Sequence, residues 1–179
     1  MPVFLSILRG INVSGQKKIL MSDLKLLYEE LDFKKVQTFI QSGNVIFESK
    51  SSKLLADKIE QKIKQKYAFD VPVIIRTMDE MEKIIKNNPF IKTKGIETDK
   101  LHITYLSKPT TAENIKKTKQ YTFEPDAFEI IEEQVYIYCP NGYGRTKLTN
   151  TFFEKKLNVS ATTRNWKTSN ELLTIMKSY

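Results

Sequence analysis

Hydrophobic positions along this chain switch between strand-like and helix-like spacing in a fixed order. Val3-Phe4-Leu5-Ser6-Ile7-Leu8 reads as a buried strand. Ser22-Asp23 can cap a helix running to about Leu31, because Leu24, Leu27, Tyr28 and Leu31 recur at i, i+3, i+4 and i+7. Val36–Gln41 and Val45–Glu48 read as strands, with Ser42-Gly43 as a two-residue hairpin signal. Ser51 or Ser52 opens an amphipathic helix with Leu55, Ile59 and Ile63 on one stripe. Val71–Arg76 is a strand whose Pro72 suggests a sheet edge. Thr77-x-x-Glu80 is a capping box, and its helix ends before Pro89.

The order then recurs. Leu101–Leu106 reads as a strand, Thr110-x-x-Glu113 as a capping box, and Ala127–Ile131 with Gln134–Cys139 as a hairpin around Glu132-Glu133. Thr146 can cap a helix through about Leu157, Ser160–Arg164 is a short strand, and Thr168-x-x-Glu171 caps the terminal helix. Each half is β-α-β-β-α-β plus a helix, the split-βαβ motif. The expected fold is α+β: two ferredoxin-like units in tandem, antiparallel sheets with helices on one face. The units should span 1–88 and 100–179, joined by a linker at 89–99 that carries Pro89 and Gly95. The halves share the pattern without an obvious sequence repeat.

This topology gathers distant loops. In the first unit, Arg9–Lys18 and Gln41–Asn44 should share one end of the sheet. In the second, Asn141–Lys147 and Thr162–Lys167 should share the other, with Thr146 at a helix N-terminus, where N–H groups point outward. If the units pack head to tail, the two clusters could line one cleft. Both clusters are polar, cationic and glycine-bearing. Arg9–Lys18 holds two glycines and three cations and no carboxylate.

Four stretches, Leu8–Val13, Gln41–Val45, Gly144–Asn150 and Ala161–Trp166, resemble the signatures of a bacterial family of domains of unknown function. The resemblance spans the chain, with Ser14 standing where the family has a second glycine. It implies a cytosolic bacterial protein of ferredoxin-like α+β structure and carries no activity.

Charge narrows the partners. The net charge of +8 is uneven: residues 1–76 hold 13 Lys/Arg against 8 Asp/Glu, 77–140 hold 9 against 11, and 141–179 hold 7 against 2. Basic ends around an acidic middle favour nucleic acid or a phosphorylated small molecule. No run of apolar residues is long enough for a membrane span, so no membrane partner is expected. Cys139 is the only cysteine and His102 the only histidine. That excludes the common zinc sets, suits a cytoplasmic location, and indicates no metal or cofactor.

The chemistry on offer is anion binding. Gly10-x-x-x-x-Gly15-Gln16-Lys17 nearly spells a P-loop, but the lysine is displaced and Lys18 replaces the metal-binding hydroxyl. Arg9, Lys17, Arg145, Lys147 and Arg164 are candidates to neutralise charge. Gly10, Gly15, Gly142 and Gly144 would let backbone approach a ligand. Gln41, Asn12, Asn44 and Asn165 would orient it, and Trp166 could stack on it. Against each stands a plainer role: tight turns, helix caps, a core tryptophan. Tyr136 and Tyr138 share a strand face that could stack bases, although Gly43–Phe47 lacks the aromatics of an RNA-recognition strand. No carboxylate lies inside the four motifs, and His102 sits mid-strand away from the glycine loops, so catalytic acid–base work is not indicated. Three readings remain: an anion-binding protein, an enzyme on a nucleotide or sugar phosphate, or an interaction module that dimerises through open sheet faces.

Overall fold

The computed structural model describes every residue from Met1 to Tyr179. It contains two four-stranded antiparallel sheets with helices. The compact units are Met1–Glu82 with Leu172–Tyr179, and Lys83–Glu171. The terminal helix therefore contributes to both units, where the sequence pattern placed it wholly in the second.

In the first unit, β1 (Val3–Leu8), α1 (Met21–Glu29), β2 (Lys34–Phe39), β3 (Asn44–Glu48), α2 (Leu55–Tyr67) and β4 (Val73–Thr77) follow in order. The sheet runs β2-β3-β1-β4, so β1 is central and β4, just after Pro72, is an edge. Phe4, Leu8, Val45 and Phe47 pack with Leu24, Leu27, Tyr28, Ile59 and Ile63 of the two helices. Ser6 points the same way and meets the Tyr28 hydroxyl at 2.7 Å, so this buried polar pair is satisfied. Phe33 stacks on Phe47 at 4.5 Å and Tyr28 meets Phe47 edge-on at 5.4 Å.

Alternation sends Leu5, Ile7, Ile46 and Ile74 to the opposite face, where they too are fully buried. Tyr179 from the terminal segment donates to Lys35 O at 2.7 Å and Ile46 O at 3.3 Å. Both faces of this sheet are therefore buried.

The second unit repeats the order. It comprises the end of α3 (Met78–Lys86), β5 (Leu101–Leu106), α4 (Ala112–Thr118), β6 (Ala127–Ile131), β7 (Gln134–Tyr138), α5 (Asn150–Leu157), β8 (Ala161–Asn165) and the start of α6 (Trp166–Lys177). The sheet runs β6-β7-β5-β8. Leu106, Val135, Ile137 and Cys139 pack with Leu148, Phe153 and Leu157. On the other face Tyr105 donates to Ser169 Oγ at 2.9 Å and Tyr136 donates to Ile84 O at 2.8 Å. Tyr136 is fully buried and Tyr138 lies beside Phe90, so neither offers an open platform for bases. Around β1 and β5 both sheet faces are buried.

The expected capping box at Thr77 is present: Thr77 N–H donates to Glu80 Oε2 at 2.7 Å, and Glu80 N–H to Thr77 Oγ1 at 3.2 Å. Other caps shift. Thr111, not Thr110, caps α4, and Thr149, not Thr146, caps α5. Asn165 accepts from Thr168 N–H at 2.7 Å and so caps α6 in place of Thr168. α1 and α2 begin after Leu20 and Leu54 with no side-chain cap, rather than at Ser22 or Ser51. The β2–β3 connection is four residues, 40–43, instead of two.

Gly43 is where this connection meets β1. Its φ is +83°, and a Cβ there would lie 2.7 Å from Ile11 Cδ1 and 2.8 Å from Leu8 Cβ. Gly43→Ala is expected to destabilise the protein by about 2–4 kcal/mol, combining left-handed strain with overpacking. A urea midpoint equal to that of the unsubstituted protein would contradict this.

Candidate functional site

The two loops of the first unit do meet. Leu8 N–H donates to Gly43 O at 2.8 Å, and Asn12 Nδ2 donates to Gln41 O at 2.9 Å. The Gly10–Lys17 segment is unusually left-handed: Gly10, Asn12, Ser14, Gly15 and Lys17 all have positive φ, as do Ile40 and Gly43 across from it. Ile11 and Ile19 anchor the loop in the core, at 1% and 3% exposure.

Its polar groups are largely spent on holding that shape. Asn12 gives its other amide hydrogen to Ile19 O at 3.0 Å and accepts from Ile19 N–H at 2.9 Å. Asn44 is buried and donates to Phe39 O and Ser42 Oγ, both at 3.0 Å. Lys17 Nζ donates to Asp70 O at 2.5 Å. Arg9 is half-buried, with its N–H bonded to Pro72 O at 2.9 Å. Gln41 side chain and Lys18 stay exposed, and Gly10 and Gly15 serve turns.

The second unit is arranged differently. After β7 the chain folds through Gly142 N–H to Cys139 O at 3.0 Å and Arg145 N–H to Gly142 O at 3.2 Å. Gly142 has φ +91°, and Tyr143–Arg145 form one 3-10 turn. Tyr143 anchors this turn. Its ring stacks on His102 at 4.6 Å, and its hydroxyl donates to Thr163 Oγ1 at 3.1 Å. Thr163 in turn donates to Asn150 Oδ1 at 2.6 Å and meets Thr104 Oγ1 at 2.7 Å. Buried Thr146 and Leu148 pin the loop beyond it, with Leu148 N–H donating to Thr146 Oγ1 at 3.1 Å. Gly144, Arg145 and Lys147 are left exposed on a fixed backbone.

These residues face a cleft of about 290 Å³. Asn141, Gly142, Arg145 and Lys147 form one wall, and Phe123, Glu124, Pro125 and Asp126 form the other. The second wall is a turn closed by Asp126 N–H to Phe123 O at 2.9 Å, with a cis Glu124–Pro125 bond. Phe123 ties it to the core, edge-on to Phe152 at 5.4 Å. The cleft holds two cations and two carboxylates, and no ion pair joins any of them to each other or to another side chain.

The remaining sequence candidates lie elsewhere in the same unit. Arg164 is buried, donating Nη1 to Thr162 Oγ1 and Thr163 O, both at 2.9 Å. Burial lowers its pKa to about 10, so it stays charged at neutral pH without reaching solvent. Asn165 is the α6 cap, and Trp166 is half-buried in the first turn of that helix. His102, expected to stand apart from the glycine loops, is the ring on which Tyr143 rests. Glu124 and Asp126 were missed, although a signal existed. The β6–β7 hairpin pairs Ala127 with Tyr138, which places the residues before β6 beside those after β7. No group of three or more His, Cys, Asp or Glu side chains converges to hold a metal ion. No helix is long and apolar enough to cross a membrane.

Fold and cleft define a tandem α+β protein with a small charged cleft at the strand ends of its second unit. The chain belongs to the DUF1697 family, proteins of unknown function, whose profile matches residues 1–136. That segment includes the first two motifs and the Glu124–Asp126 wall; the motifs at 144–150 and 161–166 lie beyond it. Among solved structures, the chain is similar to the conserved bacterial protein SP0830 from Streptococcus pneumoniae, with 20% identity, 98% of each chain covered and a TM-score of 0.79. At that identity the likeness extends to the fold alone. No curated protein matches the sequence.

Two outcomes follow from this geometry. Asn12→Asp removes both amide donors and is expected to cost about 1–3 kcal/mol in urea denaturation. A variant of unchanged stability would mean that Asn12 is not the brace of its loop. Burial pushes the His102 imidazole below its ordinary value. The unfolded chain therefore takes up that proton first, and the His102 contribution is lost as pH falls from about 6.5 through the depressed folded value. His102→Phe, which keeps a ring against Tyr143, should show a smaller drop in urea midpoint between about pH 7.5 and 5.5. An equal drop would assign the acid sensitivity to carboxylates.

Proposed function

We propose that this protein binds a small anionic ligand, a phosphorylated small molecule, in the second-unit cleft. The observation that carries the reading is the pair Arg145 and Lys147, both exposed and free of any carboxylate partner, beside the backbone of Gly142 in one concavity. A guanidinium offers a planar fork to a phosphate, and Gly142, whose own N–H is bonded to Cys139 O at 3.0 Å, has no side chain to obstruct its approach. The Tyr143 and Thr146 anchors hold the backbone that carries Arg145 before a ligand arrives, so binding has to order only the side chain.

The same features favour a small ligand over nucleic acid. A volume of about 290 Å³ sits at the small end of ligand sites. Glu124 and Asp126 on the facing wall would repel an extended polyanion. The buried sheet faces offer no stacking surface.

Calorimetric titration with inorganic phosphate at about 50 and 200 mM salt tests the reading. The expected result is saturable one-to-one binding with a salt dependence far below the roughly 10³-fold loss of a nucleic-acid binder. Arg145→Ala should weaken binding by about 10-fold or more, the loss of a charge-assisted hydrogen bond. Absence of saturable binding, or an Arg145→Ala protein that binds equally well, would overturn it.

A further inference from the structure

The cleft is neutral overall, and that is unusual for a site meant for a plain anion. Two cations stand on the 141–147 wall and two carboxylates on the 123–126 wall, with none of the four neutralised by a protein partner. Unpaired carboxylates close to a bound phosphate oppose it, and more strongly where water is excluded. A ligand that brings its own cation removes this opposition. On the 123–126 wall, beside the two carboxylates, Phe123 and Pro125 add apolar lining suited to a short carbon chain.

We infer that the ligand of this cleft is zwitterionic, a phosphate monoester that carries an amine on a short carbon linker. The phosphate faces Arg145 and Lys147, and the ammonium faces Glu124 and Asp126. This rests on the proposed anion site and adds the opposite pole of the ligand. A half-buried Asp126 supplies the better-shielded carboxylate, and exposed Glu124 lies at the tip of its turn. The Phe123 anchor holds the turn that carries them, and neither is in an ion pair, so they need not release a partner to receive an amine.

Two compounds of the same carbon skeleton decide it: O-phosphoethanolamine and ethyl phosphate, titrated calorimetrically at low salt into the full chain beside inorganic phosphate. The expected result is about a 2–5-fold preference for phosphoethanolamine over ethyl phosphate, in line with a partly exposed charge pair. In Glu124→Gln and Asp126→Asn proteins that preference should shrink, with the double variant bringing the two ligands together. Both substitutions keep size and shape on a surface turn where neither carboxylate is in an ion pair, so folding is retained, and the circular dichroism melt checks it. Phosphate binding with no preference for the amine, or a preference that survives the double variant, would overturn the zwitterion and leave the anion site standing. No binding of inorganic phosphate or of either ester would overturn both.

Discussion

Backbone pairing commits both edges of the central strand in each unit. β1 pairs antiparallel with β3 and β4, and β5 with β7 and β8. Both faces are committed as well: Phe4, Leu5, Ile7 and Leu8 are buried in β1, and Ile103, Thr104, Tyr105 and Leu106 in β5. A strand buried on two faces and paired on two edges has only its ends left for other work. The glycine-bearing polar segments accordingly lie in loops at strand ends. A helix or terminal segment over the second face removes the platform that many split-βαβ proteins present, and with it the simplest argument for RNA or for dimerisation.

The strands and their order were legible because burial on alternate positions leaves a strong periodic mark, and because split-βαβ connectivity leaves few ways to arrange four strands. Helix starts were less legible. Thr110 and Thr111, Thr146 and Thr149, and Asn165 and Thr168 are competing caps of similar intrinsic strength, and tertiary anchoring chooses among them. Thr110, for example, is claimed by Leu157 O at 2.7 Å, which leaves Thr111 to cap α4. The cleft was half legible. Its cationic wall stands out as composition, whereas its acidic wall looks like any surface turn until the hairpin register brings it opposite.

A duplication deeper than the element order is visible in the strand registers. Arg76 pairs with Leu5 and Arg164 with Ile103, each opposite the third residue of its central strand. Each arginine is buried and donates Nη1 to the carbonyl of the residue before it, Ile75 or Thr163. The next residue caps the following helix, Thr77 for α3 and Asn165 for α6. The same strand-to-helix junction is thus built twice from different residues. This places Arg164 in the architecture: its equivalent in the other unit lies in the same structural role, at a position that no candidate motif includes.

The two polar loop clusters show why residue type alone does not define a site. The first-unit loop and the β2–β3 connection across from it have seven residues at positive φ, four of them not glycine. A left-handed residue with a side chain costs about 1–2 kcal/mol. The loop tolerates this because Asn12 satisfies groups on both flanks, Lys17 is held by Asp70 O, and Ile11 and Ile19 bury their side chains beneath it. Its amides are the fasteners of a strained closure, and a ligand would have to compete with those bonds. In the second unit the fastening is done by other groups, namely Tyr143, Thr163, Thr146 and Leu148. The charged side chains between them are therefore unspent. Both loops are rich in glycine, amide and cation, so the distinguishing quantity is whether the donors are already used. Only the folded contacts carry that information, and they favour the second loop over the one whose sequence stands out most.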